Sequence, residues 1–342
     1  CASLERAARD ARYQAFAEAI APGELLLTGQ HRDDQAETLL FRLLRGAGVR
    51  GLSGMPVQRP LGEGWLARPL LDVPRAELET YAREQQLSWI EDPSNGDSRF
   101  SRNYLRHQVF PQLTARWPQA VNTLARTAGH LAQAQGLLDE LAQLDVQAAQ
   151  LPSAFPWLAL PSLALAPLRD LSDARQRNAL RYWLAPLTPL PDSEHWVGWN
   201  TLRDAKADAQ PVWRLADGQL HRCNDRIWWV PAAWSEFSGT ALSWPHPQNP
   251  LQLPGNGQLY FSANAPEGPL SIGYRQGGEV MEVPGRGRRD LKRLLNESAV
   301  PGFIRGRLPL LYQGSRLLAV ANLARASTGQ GDDWQLHWAP PT

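Results

Sequence analysis

Cysteine, methionine and lysine are nearly missing from this 342-residue chain, which holds two residues of each. Cys1 and Cys223 provide neither a disulfide framework nor a paired-thiolate metal site. No apolar run approaches the ~20 residues that a membrane-spanning helix needs, and no signal peptide is visible. We therefore expect a cytoplasmic protein with no membrane partner.

The chain also lacks a strong net charge, which is only +1. No basic field over the whole molecule announces a nucleic acid. The segment 271–325 nevertheless contains ten arginine or lysine residues against four acidic residues. Nearly all of these cations are arginines, whose planar guanidinium suits bidentate recognition of phosphate.

Residues 25–38 form the most informative stretch. The short apolar run 25–28 predicts a strand buried on both faces. Asp34 precedes Glu37 by three residues, a spacing that predicts a helix with Asp34 as N-cap and Glu37 as its capping partner. We therefore expect His31, Asp33 and Asp34 at the carboxyl end of a parallel strand, where open α/β sheets bind ligands.

Two readings of the aspartate pair remain open. Asp34 could serve only as a helix cap with Asp33 solvated, since carboxylates favour helix starts. Alternatively, the pair holds Mg²⁺ on a nucleotide, because Mg²⁺ prefers one or two carboxylates plus phosphate oxygens. Arg45 and a loop with glycines at Gly46 and Gly48 come next, and such a backbone can approach a ligand closely. This loop favours the second reading.

Alternating strands and helices predict a parallel α/β domain over residues 1–105. A mainly helical middle domain with a small β-hairpin is expected over 106–234, and a mixed α+β domain over 235–342. A helix is predicted over 288–299. Its periodicity places four cations on one arc and three leucines on the opposite arc. The cations are Arg288, Arg289, Lys292 and Arg293, and a merely solvated face is the alternative.

Several segments carry a family resemblance: His31–Thr38, Leu44–Gly48, Gly51–Met55, Arg68–Leu71, Trp89–Asn95 and Arg102–Arg106. Together they resemble the tRNA(Ile)-lysidine synthetase family of PP-loop ATP pyrophosphatases. The resemblance resumes near the C-terminus and covers most of the chain.

The resemblance implies a ligase that uses ATP and Mg²⁺. Its partners would be the isoleucine tRNA with a CAU anticodon and free L-lysine, and the protein could form a homodimer. ATP would adenylate the C2 oxygen of the wobble cytidine (position 34), with loss of pyrophosphate. The ε-amine of lysine would then attack C2 and displace AMP.

Roles for individual residues follow from the same resemblance. Asp34, with Asp33 second, would contact Mg²⁺ or the nucleotide, and His31 would be a general base or a polar wall of the pocket. Arg45, Gly46 and Gly48 would line the nucleotide or cytidine pocket. Arg68 would contact phosphate, unless it forms an ion pair with Asp72 or Glu91.

A second polar group follows the first along the chain. Arg102 and Arg106 lie one helical turn apart and should share a face. The resemblance assigns lysine or tRNA contacts to this group, which comprises Asp92, Asn95, Arg102, Asn103 and Arg106. It assigns tRNA contacts away from the anticodon to the C-terminal cations.

One departure from the family pattern stands out. The pyrophosphate-binding motif Ser-Gly-Gly-x-Asp-Ser is not in this sequence, and residues 1–20 resemble a helix that follows that motif in the family. We therefore expect that the chain lacks the first strands of its nucleotide domain and is inactive alone. Two alternatives remain: a tRNA-binding module without chemistry, or another PP-loop tRNA-modifying enzyme.

Overall fold

The structure is a computed structural model that describes residues 2–90, 93–191, 195–206, 209–237, 239–263, 265–325 and 334–341. The chain divides into two compact units, residues 1–140 and 141–342. The division into three domains at residues 105 and 234 stays a prediction.

The first unit contains these elements, in chain order: α1 (Ala2–Ala19), β1 (Leu25–Leu27), α2 (Arg32–Leu43), α3 (Val49–Leu52), β2 (Gln58–Leu61), β3 (Gly64–Ala67), α4 (Arg75–Glu84), a 3₁₀ turn (Pro93–Gly96), α5 (Ser101–Tyr104), a π-helical turn (Leu105–Val109), α6 (Phe110–Arg116) and α7 (Ala120–Ala149). Helix α7 runs on into the second unit.

The sheet of the first unit is mixed, in the order β1-β3-β2. Strand β1 runs parallel to β3, with Leu25 opposite Trp65, whereas β2 and β3 form an antiparallel hairpin. The hairpin turn contains Gly62 at φ 53°, and a Cβ there would collide with the carbonyl oxygen of Ala17. The predicted parallel sheet is therefore wrong for the β2–β3 pair, because this tight turn reverses the chain.

Strand β1 is less buried than its composition predicts. Leu25 is 52% exposed and Leu27 is 60% exposed. Among the described residues, β1 pairs only with β3 and forms an edge of the sheet. The prediction that this run is buried on both faces is wrong, because apolar composition does not report how many neighbours a strand has.

The second unit contains, after the end of α7: β4 (Ser162–Ala164), α8 (Leu165–Arg169), α9 (Asp173–Leu184), α10 (Val197–Asp204), β5 (Val212–Leu215), β6 (Gly218–Cys223), β7 (Arg226–Pro231), a 3₁₀ turn (Ala232–Glu236), β8 (Leu242–Trp244), β9 (Leu251–Gln252), β10 (Gln258–Phe261), β11 (Leu270–Gly273), β12 (Val280–Val283), β13 (Gly287–Asp290), α11 (Leu291–Glu297), a 3₁₀ turn (Gly302–Ile304), β14 (Leu310–Gln313), β15 (Arg316–Val320), β16 (Ala324–Arg325) and β17 (Leu336–Ala339).

Three sheets organise the second unit. The small hairpin predicted for the middle region is confirmed as β5–β6, and it belongs to a larger sheet of order β4-β7-β6-β5. A larger sheet has the order β13-β12-β15-β14-β11-β8, with β16 on β15, and β17-β10-β9 forms the third. Trp228 and Trp234 are buried in the same core as Leu310 and Leu311. The middle and C-terminal regions therefore share one hydrophobic core.

The predicted helix over 288–299 is shorter than its periodicity indicates. Arg288 and Arg289 belong to β13, where they pair with Glu282 and Met281 of β12. Helix α11 begins after Asp290, whose carboxylate accepts a hydrogen bond from the backbone N–H of Arg293 at 3.1 Å. The four cations thus do not share one helical arc, because ladder hydrogen bonds hold the first two in a strand. The leucines of α11 are buried as predicted.

Arg307 is a buried connector in the second unit and is only 4% exposed. It donates hydrogen bonds to the carbonyl oxygens of Trp234 at 2.9 Å and Gly255 at 3.0 Å. Its guanidinium also contacts the rings of Trp234 and Phe237, at 4.8 and 4.6 Å from their centroids. Arg307 therefore ties the 3₁₀ turn after β7 to the C-terminal core.

We expect Arg307→Met to lower the free energy of unfolding by about 3 kcal/mol, because several buried carbonyl oxygens lose their donor. Urea unfolding followed by tryptophan fluorescence measures this loss. Arg316→Met is the matched control. Its side chain is 51% exposed and lies 3.4 Å from Glu282, so the loss should stay near 0.5 kcal/mol. Equal losses in the two variants would contradict the connector role.

Candidate active site

Helix α2 begins directly after β1, and its N-cap is His31 rather than Asp34. Asp34 lies at the third helical position, and its Oδ2 accepts a hydrogen bond from the backbone N–H of His31 at 3.1 Å. The predicted capping box is therefore displaced by three residues. The carboxylate still satisfies a donor at the helix start, but it does so from inside the first turn.

Asp33 connects α2 to α4. Its Oδ2 accepts a hydrogen bond from the backbone N–H of Arg75 at 2.9 Å, and it lies 3.6 Å from Nδ1 of His31. The contact with His31, opposed by burial and aided by the Arg75 N–H, holds the pKa of Asp33 below its ordinary value. Asp33 is thus an ionised group with structural partners and not a solvated one.

Arg106 joins the two predicted polar groups. Its Nε and Nη2 donate to the two carboxylate oxygens of Glu37 at 2.7 and 2.9 Å. Its Nη2 also donates to Oδ1 of Asp34 at 2.8 Å, and Arg102 donates to the hydroxyl of Thr38 at 2.9 Å. The predicted shared face of Arg102 and Arg106 is confirmed, since both side chains reach α2. Glu37 pairs with Arg106 and is not a helix cap.

The geometry behind this contact is unusual. Arg106 lies in the π-helical turn Leu105–Val109, a conformation that is rare and frequent at functional sites. Burial raises the pKa of Glu37 against the opposing effect of Arg106. For Arg106, burial lowers the pKa but the bonds to Glu37 and Asp34 outweigh it, so the net shift is upward. The cluster therefore combines desolvated charges of both signs.

A group of arginines lies beside this cluster. Burial lowers the pKa of Arg42, and the positive charges of Arg9, Arg102 and Arg68 lower it further. Arg68 is only 3% exposed, and its Nη1 donates to the carbonyl of Pro56 at 2.8 Å. Its Nε is buried with no hydrogen-bond partner among the described residues. Like charges held this close indicate a place for an anion.

The two sequence interpretations of Arg68 differ in outcome. Among the described residues, no ion pair links Arg68 to Asp72, and Glu91 lies outside the described part of the chain. Burial lowers the pKa of Arg68, and nearby Tyr13 acts in the opposite direction. A phosphate contact for Arg68 stays a prediction.

The glycine loop after α2 is held by side chains that the sequence did not single out. Arg42 donates to the carbonyls of Gly51 and Gly54 at 2.7 and 2.8 Å. The amide of buried Gln35 exchanges two hydrogen bonds with the backbone of Met55. An amide residue directly after the aspartate pair was the available signal, and reasoning from charge alone missed it.

Arg45, Gly46 and Gly48 lie beyond the C-terminal end of α2 and are exposed. Asp34 lies in the first turn of the same 12-residue helix. With a rise of 1.5 Å per residue, roughly 15 Å separates Asp34 from Arg45 and the two glycines. The guanidinium of Arg45 contacts the ring of Phe41 at 5.2 Å. The pocket role of these three residues stays a prediction, and one small ligand group cannot touch both ends.

The loop before α5 packs against the π-helical turn. Nε2 of His107 lies 2.9 Å from the carbonyl oxygen of Asn95. The side-chain amide of Asn103 donates to the carbonyl of Asp97 at 3.1 Å. Asp92 lies outside the described residues. Lysine or tRNA contacts by this group stay predictions.

The C-terminal cations separate onto different surfaces. Arg288 lines a cleft of the second unit. Arg289 lies near Glu297, whose pKa is lowered most by Arg293, less by Arg286 and least by Arg289. Lys292 and Arg293 are exposed on α11, and Arg293 donates to Glu297 at 2.9 Å. Tests of tRNA binding must therefore treat the two surfaces separately.

Comparisons with known proteins agree along the chain. A family model described as a PP-loop domain matches residues 1–113. Models described as the TilS substrate binding domain and the TilS substrate C-terminal domain match residues 163–228 and 270–338. The first of these matches defines the class: the chain contains a PP-loop ATPase domain. A PP-loop domain is thus found in the chain, and the prediction that this domain lacks its N-terminal segment is not supported.

Relatives cover the whole chain. A tRNA(Ile)-lysidine synthase of Pseudomonas fluorescens is 63% identical over 99% of this chain and 77% of its own length. One from Pseudomonas syringae pv. tomato is 63% identical over 100% and 77%, and one from Pseudomonas aeruginosa is 58% identical over 99% and 77%. The chain belongs to the tRNA(Ile)-lysidine synthase family.

These findings favour the enzyme over both alternatives, since a PP-loop domain accompanies the substrate domains. That family membership implies ATP use. No described helix is long and apolar enough to cross a membrane.

We expect Arg106→Met to lower the free energy of unfolding by about 3 kcal/mol near pH 8, because it leaves buried carboxylates without a counter-charge. Without Arg106, the already raised pKa of Glu37 should rise further. When the pKa of a carboxyl group is higher in the folded than in the unfolded state, its contribution to stability is fully present below the unfolded-state pKa, which is about 4.3 for glutamate. That contribution is lost as the pH rises through the folded-state pKa. The loss should therefore be smaller at pH 5 than at pH 8.

Urea unfolding at both pH values checks this expectation. Arg75→Met is the control, since Arg75 pairs with Glu79 at 2.8 Å on the exposed face of α4. Its effect should be a few tenths of a kcal/mol at either pH. A pH-independent loss for Arg106→Met would contradict the burial argument for Glu37.

Proposed function

We propose that this protein attaches free L-lysine to C2 of the wobble cytidine of the CAU-anticodon isoleucine tRNA, with ATP as the activating substrate. Family membership supports the overall reaction. The observation that carries the assignment of sites is the contact of Arg106 with Glu37 and Asp34, beside the arginine group of Arg42 and Arg68. On α2 itself, the carboxylates lie in the first two turns and Arg42 lies in the last turn.

The carboxylate side suits lysine. Asp33, Asp34 and Glu37 carry three negative charges within the first two turns of α2, and Arg106 compensates only one. An ammonium group would compensate a second of these charges, and charge-assisted hydrogen bonds to carboxylates are among the stronger contacts a protein offers. Arg106 in turn could meet the carboxylate of the amino acid.

The arginine side suits the nucleotide. The C2 oxygen of cytidine attacks the α-phosphorus of ATP, and pyrophosphate leaves with its bond to that phosphorus. Fixed guanidinium groups at Arg42, Arg68 and Arg102 would stabilise the negative charge that grows on the leaving group. The buried, unpartnered Nε of Arg68 supports a phosphate contact at this place.

The second step forms a carbon–nitrogen bond. The ε-amine of lysine attacks C2, the C2 oxygen departs as part of AMP, and the nitrogen loses a proton. His31 is the candidate base for that proton. Its Nε2 lies 3.4 Å from Oδ2 of Asp34 and its Nδ1 3.6 Å from Oδ2 of Asp33.

The residues around Asp34 do not fit a metal site built by the protein. Oδ1 of Asp34 accepts from Arg106 and Oδ2 accepts from the N–H of His31. In the described part of the chain, no group of three or more His, Cys, Asp or Glu side chains could hold a metal ion. Mg²⁺ stays a prediction, and no step of the proposed mechanism is routed through it.

The second unit would hold the tRNA away from its anticodon. Cytoplasmic location and a homodimer stay predictions.

We expect Glu37→Gln to raise the KM for lysine at least ten-fold, because a charge-assisted hydrogen bond contributes about 1.5–3 kcal/mol. Release of pyrophosphate from ATP, which depends on tRNA, should change much less, since it precedes lysine attack. Labelled lysine incorporation and pyrophosphate release measure the two steps. Glu77→Gln, on the exposed face of α4, is the control and should change neither.

Two results would contradict the proposal. A loss of pyrophosphate release with an unchanged KM for lysine would move Glu37 to the nucleotide side. The absence of any lysine incorporation into the CAU tRNA by the unsubstituted protein would overturn the function itself.

A further inference from the structure

A cleft of about 980 Å³ lies within the second unit. One wall is the turn that follows β11, from Tyr274 to Val280, and another is formed by Gln219 and His221 of β6. Arg288 of β13 and Phe303 also line the cleft. A volume of this size is at the upper end of what small-molecule pockets offer. No step of the proposed reaction uses this cleft.

Among the described residues that line the cleft, three arginines outnumber the one carboxylate, Glu279, so positive charge is in excess. Nε of Arg275 is buried without a hydrogen-bond partner among the described residues. Arg275 also lies near Arg305. Burial is the main cause that lowers the pKa of Arg305, and the positive charge of Arg275 is a smaller cause in the same direction. Glu282 is opposite Arg288 in the β12–β13 ladder, but its carboxylate lies 3.4 Å from the guanidinium of Arg316. Within the described part of the chain, Arg288 forms no ion pair. Two guanidinium groups are therefore available to an anion.

The one acidic side chain among the described lining residues is already used. Oε1 of Glu279 accepts hydrogen bonds from the backbone N–H of Gln276 and of Gly277. Gly277 and Gly278 have φ values of 106° and 83°, which give the turn the shape that aims these N–H groups at the carboxylate. Glu279 therefore braces the turn and does not neutralise Arg275 or Arg288 by a direct hydrogen bond.

Aromatic side chains form another part of the lining. Tyr274 meets Phe237 edge to face with centroids 5.0 Å apart, and the ring of His221 lies 5.1 Å from that of Phe303. Burial, with the nearby charge of Arg214, lowers the pKa of His221 to about 4. His221 is thus neutral near pH 7 and acts as an aromatic ring. The cleft offers rings on one side and arginines on the other.

We propose that this cleft binds one unpaired nucleotide, with its base against the aromatic wall at Tyr274 and its phosphate between Arg275 and Arg288. Base stacking on aromatic side chains and arginine contacts to phosphate are the two parts of single-strand recognition. A duplex would present stacked bases that cannot enter a concave site. That the nucleotide belongs to the tRNA rests on the proposed function.

The test measures binding of the protein to a labelled single-stranded RNA of five nucleotides that contains no cytidine, without ATP or lysine. Fluorescence anisotropy across a salt series gives the affinity and its salt slope. Arg275→Gln combined with Arg288→Gln should weaken binding at least ten-fold at low salt. It should reduce the slope of log K against log salt by about 0.7, the value for one phosphate contact in a single strand.

A matched double variant is the control. Arg289→Gln with Arg293→Gln removes the same charge from the same unit, but these residues lie near Glu297 and outside the cleft. Its salt slope should stay unchanged. Tyr274→Leu should weaken binding about ten-fold with an unchanged slope, whereas Tyr274→Phe keeps the ring and should bind normally. Melting temperatures of all variants report whether the fold is intact.

The probes also separate the sources of the nucleotide. Displacement of the RNA by uridine 5′-monophosphate at micromolar concentration would assign the cleft to a free nucleotide, and displacement only at millimolar concentration would assign it to an RNA chain. Equal effects of the two double variants, or duplex RNA that binds as tightly as the single strand, would overturn the proposal. Binding that persists while lysine incorporation fails would reject the proposed function and leave the cleft assignment standing.

Discussion

The contact of Arg106 with Glu37 is the interaction on which the candidate site depends. A carboxylate with a side chain 4% exposed carries a large desolvation cost unless a cation compensates it. Arg106 supplies that charge from 69 residues away along the chain and reaches Asp34 with the same Nη2. The π-helical turn and the first two turns of α2 are thereby fixed to one another.

The polarity of α2 explains why the carboxylates and arginines separate. The N-terminal end of a helix carries a partial positive charge and the C-terminal end a partial negative charge. Asp33 and Asp34 lie in the first turn and Arg42 in the last turn, so each charge lies at the end that stabilises it. A helix start usually binds phosphate, but here carboxylates already occupy it.

The sequence predicted α2, the position of its aspartates after β1 and the common face of Arg102 and Arg106, because these follow from local periodicity. It did not predict His31 as the N-cap. Imidazole is not among the preferred capping groups, so Asp34 looked like the better candidate. The pairing of Arg106 with Glu37 also lay beyond sequence reasoning, since no local pattern reports which of several arginines meets a carboxylate 69 residues away.

The basic segment 271–325 shows most clearly how local structure decides function. In a helix, Arg288, Arg289 and Arg293 would form one positive arc. The glycines at 285 and 287, both at positive φ, and the ladder with β12 instead make 287–290 a strand, and neighbouring residues of a strand point to opposite faces. Arg288 then faces the cleft while Arg289 lies near Glu297. The cations of this segment thus divide into two groups. Arg275 and Arg288 line the cleft, whereas Arg286, Arg289 and Arg293 lie near Glu297. Charge density along a sequence therefore does not measure the strength of a phosphate site; the residual charge on each surface does.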